Sequence, residues 1–231
     1  MKRAIVTGAS SGIGLAIVKY LIGKGYGVTG VSRRSPVIDS EHYCHLSLDL
    51  SDKKWIVKFN EFVKTQKCVD LFIYSAGFGL FGPHETISSS KISDMIEVNL
   101  SAPIIMTGII LKKLIEIKGH IIFISSITAK KPAPSGAAYS ATKSGLLTFA
   151  DNLFEEHRKL GLKVTTILPD ITKTPFYDNL NFSPSSDPYS YIEPECVVNT
   201  IDTILKSREG TVISEVIIRP QKLIIDKKKY I

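Results

Sequence analysis

With 231 residues, 44% hydrophobic and 22% charged, the chain is long enough for one large domain and has an ordinary globular composition. Its net charge of +7 is spread along the chain, which argues against a nucleic-acid partner; apolar runs are broken within about ten residues, so no membrane span is expected. Cys44, Cys68 and Cys196 are odd in number and scattered, which suits buried apolar side chains better than disulfides or zinc, and the five histidines lack metal-binding spacing, so no metal is expected.

The opening "MKRAIVTGAS" runs straight into a strand over 3–8, with no room for a signal peptide's apolar region, and the expected compartment is cytoplasmic. A helix over 12–24 leads to the strand "GVTGVS" at 27–32 and a short strand at 43–47. Across 52–66, Trp55, Phe59, Phe62 and Val63 form an i, i+4, i+7, i+8 stripe that predicts an amphipathic helix. "VDLFIYSAG" (69–77) is continuously apolar, as in a strand covered on both faces. A helical region over 88–117, a strand at 120–126, a helix at 137–160 and a strand at 163–169 follow, then a helix at 194–207 and a strand at 211–218. The Pro-, Ser- and Asn-rich segment 171–193 is expected to be a mobile substrate loop, and the basic run "DKKKY" (226–230) a solvated tail.

This alternation predicts an α/β fold: a single catalytic domain over 1–231, with a doubly wound parallel sheet of about seven strands and helices on both faces. Right-handed crossovers place the ligand crevice at the carboxyl ends of the strands. Gly8, Ser32–Arg34, Ser75–Gly77 and Ser125–Ser126 all fall there.

"TGASSGIG" (7–14) opens the first helix, with Gly8, Gly12 and Gly14 in the pattern G-x-x-x-G-x-G. Glycines there permit a tight turn and close backbone approach, and leave N–H groups at a positive helix end for a pyrophosphate. A structural turn would use the same residues. At the end of the second strand, "VSRRS" places Ser32 where an NAD-binding domain usually carries an acid, followed by Arg33 and Arg34. No carboxylate repels a 2′-phosphate there and a guanidinium can clamp one, so NADP is expected over NAD unless both arginines are merely solvated.

"AAYSATKSG" (137–145) puts Tyr139 and Lys143 four apart on one helix face, either a solvated pair or an acid with the cation that tunes it. Ser126 completes S-x12-Y-x3-K. With "TGASSGIG", "LDL" (48–50), "YSAG" (74–77), "VNL" (98–100), "ISS" (124–126) and "LPDITKTP" (168–175), the chain resembles the short-chain dehydrogenase/reductase family over nearly its whole length. The resemblance implies a Rossmann-type fold and a nicotinamide cofactor. It implies that Tyr139 is the acid in reduction and the base in oxidation, that Lys143 tunes it and holds the nicotinamide ribose, and that Ser126 donates to the substrate oxygen. Asn99 matches the family's helix-borne Asn, which organises a water relay. A free tyrosine titrates near 10, and an adjacent ammonium together with an oxidised nicotinamide would lower that value. By position, the resemblance also carries cofactor contacts to Ser10, Ser11, Ile13 (beneath the nicotinamide), Asp49 (at the adenine amine), Leu50, Ser75, Ala76 and Gly77 (along the adenine ribose), Thr172 and Thr174 (at the carboxamide).

Two departures stand out. "YSAG" replaces the family's N-N-A-G, so Tyr74 and Ser75 should alter local bonding without abolishing cofactor binding. "PD" (169–170) replaces P-G, so Asp170 either biases substrate charge or caps the following loop. The ending "VISEVIIRPQ" (212–221) resembles NADP-dependent carbonyl reductase and 3-hydroxy-acid dehydrogenase members rather than 3-oxoacyl-carrier-protein reductases. Phe176, Tyr177, Phe182, Tyr189 and Tyr191 give the loop an aromatic character, and Lys130 and Lys131 either greet an acidic substrate or form a solvated turn. The expectation is an NADPH-dependent reductase of a small ketone or aldehyde, assembled as a homodimer or homotetramer through helices near 100–117 and 139–158. The alternative is a catalytically idle NADP-binding sensor or partner-binding module.

Overall fold

The computed structural model describes residues 1–228. The elements run β1 (Arg3–Thr7), α1 (Gly12–Gly23), β2 (Gly27–Ser32), β3 (Tyr43–Ser47), α2 (Trp55–Thr65), β4 (Leu71–Tyr74), α3 (Ser89–Ile96) and α4 (Ala102–Glu116). They continue with β5 (His120–Ile124), α5 (Ala137–His157), β6 (Lys163–Pro169), β7 (Phe182–Pro184), α6 (Pro194–Leu205), β8 (Glu215–Ile218) and β9 (Ile225–Lys227). Seven strands form one parallel sheet in the order β3-β2-β1-β4-β5-β6-β8, the doubly wound α/β arrangement expected from the sequence.

The continuous apolar strands are explained by what covers each face. Successive side chains of a strand point to opposite sides, so in β4 Phe72 and Tyr74 join one cluster while Leu71 and Ile73 join the other. The first cluster receives Trp55, Phe59 and Val63 of α2, Met106 and Ile110 of α4, and Leu146 of α5. The second receives Ile17 and Leu21 of α1 with Val197 and Ile201 of α6. Each fully buried large apolar side chain contributes about 1.5–3 kcal/mol, and the four residues of β4 are at most 1% exposed. At the start of β5, His120 is buried with Nε2 2.8 Å from Thr165 Oγ1. Burial, with the charge of Lys163, lowers its pKa to about 3.

The helical region expected over 88–117 is present as Ser89–Glu116, with α3 and α4 joined through a π-helical turn, Glu97–Ser101. Other expectations are corrected. The resulting helix, Ser89–Glu116, is long and apolar enough by length and composition to cross a membrane, which the local Ser, Lys and Gly breaks had hidden. Only 39% of its most apolar window is buried, yet Met106, Ile110 and Leu114 pack fully buried against the sheet. Cys44 is exposed on the edge strand β3 and is not a core residue; Cys68 and Cys196 are half-buried, Cys196 packing against the second cluster. The basic run is not a free tail: β9 pairs antiparallel with β7 (Phe182↔Lys227, Ser183↔Asp226, Pro184↔Ile225). Lys229 and Tyr230 lie outside the described residues.

Candidate active site

A cleft of about 1340 Å³ opens at the carboxyl ends of the strands. It is lined by Gly8, Ser10, Ser11, Gly12, Ile13 and Gly14 from the first turn, and by Arg33 and Arg34 after β2. Asp49 and Leu50 line it after β3, Ser75, Ala76 and Gly77 after β4, and Ser126, Tyr139, Lys143, Thr172 and Thr174 complete the wall. Asn99, alone among the predicted residues, does not line it and is fully buried.

The first turn is built by its glycines. Gly8 adopts a φ of +69°, and a Cβ on Gly14 would stand 2.2 Å from the Gly8 carbonyl oxygen. The Ser11 side chain does not cap α1 and the first turn holds no acid, so the helix N-terminus presents its N–H groups to the cleft. Thr7 Oγ1 accepts from the N–H groups of both Ser75 and Ala76 at 3.0 Å, tying the ends of β1 and β4 together.

After β2, the backbone of the two arginines is held from behind. Ser32 Oγ donates to the Arg34 carbonyl at 2.8 Å, Ser47 Oγ donates to the Arg33 carbonyl at 3.2 Å, and His45 Nε2 lies 3.1 Å from Ser32 Oγ. Both guanidinium side chains remain exposed. Asp49 Oδ1 accepts from the Ser51 N–H at 3.0 Å and the Ser51 hydroxyl at 2.8 Å. Partial burial pushes the Asp49 carboxyl up, but the two Ser51 bonds and the Arg33 charge outweigh it and hold the group below its ordinary range.

On the opposite wall, Ser126 Oγ accepts from the Thr128 N–H at 3.2 Å and the Thr128 hydroxyl at 3.1 Å. Ser126 Oγ also faces the Tyr139 hydroxyl, where it favours the ionised form. Lys143 Nζ donates to the Ile124 carbonyl at 3.1 Å and lies 5.8 Å from the centre of the Tyr139 ring. Both groups are removed from water. Burial holds Tyr139 well above the ordinary tyrosine range, Ser126 pulls the other way and Tyr177 adds to the rise. Burial also takes Lys143 down to about 8.

Asn99 sits in the π-turn with both ends of its amide pinned. Its Oδ1 accepts from the Phe78 N–H at 3.1 Å, and its Nδ2 donates to the Phe78 carbonyl at 2.9 Å and Thr142 Oγ1 at 3.2 Å. Thr142 Oγ1 in turn donates to the Tyr139 carbonyl at 2.7 Å. A Cβ on Gly77 would stand 3.1 Å from Asn99 Oδ1 and 3.3 Å from Lys143 Nζ, so both polar side chains close on the backbone at that glycine.

The departures from the family pattern have physical outlets. Tyr74, fully buried, donates to the Val98 carbonyl at 2.5 Å and so ties β4 to the π-turn, the altered local bonding that was expected. Asp170 accepts from its neighbour's N–H (Ile171) at 2.9 Å and from Arg219 Nε at 3.1 Å. Its charge is thereby partnered inside the cleft wall. Lys130 binds Glu215 at 2.6 Å and does not line the cleft, whereas Lys131 does.

Sequence reasoning missed Phe81, Arg219 and the residues of the C-terminal segment that reach the cleft: Leu223, Ile225, Lys227 and Lys228. The ring of Phe81 lies 5.3 Å from that of Tyr139, and Phe176 lies 5.9 Å away on the loop after β6. No motif surrounds these residues; only the three-dimensional pairing of distant segments reveals them.

Comparison with known proteins adds an independent line. The family described as "short chain dehydrogenase" matches residues 2–183. A 3-oxoacyl-acyl-carrier-protein reductase of Buchnera aphidicola is 32% identical, over 78% of this chain and 77% of its own. An alcohol dehydrogenase of the archaeon Thermococcus sibiricus, complexed with 5-hydroxy-NADP, superposes with a TM-score of 0.84 at 24% identity, covering 95% and 97% of the two chains. A 4-hydroxyisoleucine dehydrogenase complexed with NADH gives 0.85 at 23% identity, covering 95% and 98%.

Proposed function

The chain belongs to the short-chain dehydrogenase family, and from that premise we propose that it is an NADPH-dependent reductase of a small ketone or aldehyde, reversible as an alcohol dehydrogenase. One observation carries the reading: Ser126, Tyr139 and Lys143 share one cleft wall while the glycine turn and the open N-terminus of α1 share the same cleft. The turn fits a dinucleotide, because Gly8 and Gly14 let its backbone fold tightly against the end of β4 and against itself, and the helix end it sets at the cleft offers uncapped donors. Gly8 to Gly14 would hold the pyrophosphate, Asp49 to Ser51 the adenine side, and Thr172 to Thr174 the nicotinamide end.

Arg33 and Arg34 support NADPH over NADH. They follow Ser32, which stands where a carboxylate would exclude a 2′-phosphate; their backbone is fixed, and their exposed side chains can fold over an anion. Structural neighbours bind either cofactor, so the choice rests on these two residues.

The bound cofactor supplies the hydride. The chain supplies everything else at the carbonyl. Ser126, its lone pairs occupied by Thr128, donates a hydrogen bond to the substrate oxygen and stabilises charge where it develops. Tyr139 Oη delivers the proton that completes the alcohol, and in oxidation removes it. Lys143, anchored on the Ile124 carbonyl, holds positive charge beside the ring. Asn99, with its amide locked to Phe78, positions the tyrosine's helix through Thr142 and the wall at Gly77. Burial raises Tyr139 in the protein by itself, so the proton stays on the phenol until positive charge arrives in the cleft. Assembly as a homodimer or homotetramer through α4 and α5 completes the reading.

NADPH oxidation against a panel of carbonyl compounds tests it, with Tyr139→Phe as control. The variant should lose about 10²–10⁴ in kcat/KM while retaining NADPH affinity. Retained activity in the variant rejects the mechanism. Tight NADPH binding without turnover on any carbonyl favours the idle sensor.

A further inference from the structure

The C-terminal segment stands outside the region matched by the family, yet it lines the cleft. It is joined to the loop after β6 at every turn. β9 pairs with β7, and the Lys228 N–H donates to the Asn181 carbonyl at 2.9 Å. Lys228 Nζ donates to the Tyr177 carbonyl and, at 3.1 Å, to that of Asp178. Upstream, the Lys222 N–H donates to the Tyr189 carbonyl at 2.9 Å and its Nζ binds Asp187 at 2.9 Å. Arg219 reaches Asp170 at the root of the same loop.

What these bonds hold in place is a set of aromatic rings over the reacting tyrosine. Phe176 contacts Tyr139 at a tilt of 54° with centroids 5.9 Å apart, Tyr177 contacts Phe176 at 5.1 Å, Phe182 contacts Tyr177 at 5.6 Å, and Phe81 closes the circuit at 5.1 Å from Phe182 and 5.3 Å from Tyr139. Lys228 holds the main chain at Tyr177 and Asp178, and β9 holds Phe182. Both anchors therefore fix the three loop-borne rings. In contrast to the cofactor wall, the anchoring strand is exposed along its length, so it is retained by main-chain bonds and lysine contacts rather than by core burial.

From this arrangement we propose that the segment 219–228 is a specificity element of the proposed reductase. It clasps the loop after β6 so that Phe81, Phe176, Tyr177 and Phe182 form an apolar aromatic wall above Tyr139, which selects carbonyl compounds with a flat apolar substituent. Lys228 is its positioning residue. The proposal rests on the reductase reading for its substrate, but the clasp itself does not.

The test compares the full-length protein with Lys228→Pro, which removes both the N–H and the Nζ donors, and Lys228→Ala, which keeps the main-chain bond. With NADP+ bound, limited proteolysis within 171–193 should be several-fold faster in Lys228→Pro and intermediate in Lys228→Ala. In turnover, the kcat/KM ratio for benzaldehyde over propanal should favour benzaldehyde by about tenfold and fall at least about fivefold in Lys228→Pro. That change should be carried by KM, with the Kd for NADPH within about twofold. Equal cleavage rates reject the clasp whether or not the protein reduces either aldehyde, and an unchanged ratio rejects the selection. Failure of the wild type to reduce any carbonyl rejects the reductase reading, and the selection falls with it, while cleavage still decides the clasp. If Lys228→Pro also loses NADPH affinity, Lys228→Ala decides, and wild-type cleavage and ratio there overturn the proposal.

Discussion

The two ends of the cleft are held by different physics. Around the glycine turn, strands from the centre of the sheet converge, their side chains are fully buried on both faces, and Thr7 ties β1 to β4 through two main-chain donors. Around the aromatic wall, a two-stranded ribbon, half-buried along β7 and exposed along β9, and a few lysine contacts close one loop on another. Binding a constant cofactor favours a site that never rearranges. Admitting a substrate favours an element whose opening costs little, since exposed ion pairs contribute about 0–1 kcal/mol each.

Four experiments break or sharpen this contrast. His120 is buried neutral in the central strands, with a folded pKa near 3 against about 6.5 unfolded. Between those values the unfolded chain binds the extra proton, so stability falls as pH drops from 6.5 towards 3, by on the order of 5 kcal/mol in all. His120→Gln should flatten that acid limb in chemical denaturation curves taken across the range. Gly14→Ala should cost about 3 kcal/mol or more and abolish cofactor binding, because the new Cβ meets the Gly8 backbone oxygen at 2.2 Å; a wild-type Tm with tight NADPH binding would show that the turn yields. Arg33→Ala should leave Tm alone and reduce the NADPH-to-NADH preference about 10- to 100-fold in titrations of both cofactors, the worth of lost bonds to a charged group. Lys222→Ala, at the exposed contact with Asp187, should change global stability by less than about 1 kcal/mol. A large drop in Tm there would show that the ribbon belongs to the cooperative core.

The same contrast explains what the sequence revealed. β1, β4 and β5 are legible because burial on both faces demands unbroken apolar runs. The glycine turn and Tyr139–Lys143 are legible because their geometry is local, within one turn or one helical stripe. Phe81 and Lys228 are invisible because their significance arises from contacts across 58 and 51 positions, to Tyr139 and Tyr177. β7 and β9, three residues each and without alternation, carry no periodic signal at all. Cys44 misled because residue type alone was set against an edge strand.

The π-helical turn at Glu97–Ser101 has a consequence for how this chain tolerates insertion and deletion. One residue of an α-helix corresponds to about 100° of rotation. The widened turn absorbs an extra residue, so α3 and α4 run on as one rod while their side-chain faces are set out of phase. Deleting any one residue between 97 and 101 would restore an unbroken hydrogen-bond ladder and make a better isolated helix. It would also swing Ile110 and Leu114 off the sheet, or Met95 out of its pocket, and carry Asn99 away from Phe78. A single codon lost there would be more damaging than several lost from the loop between β2 and β3.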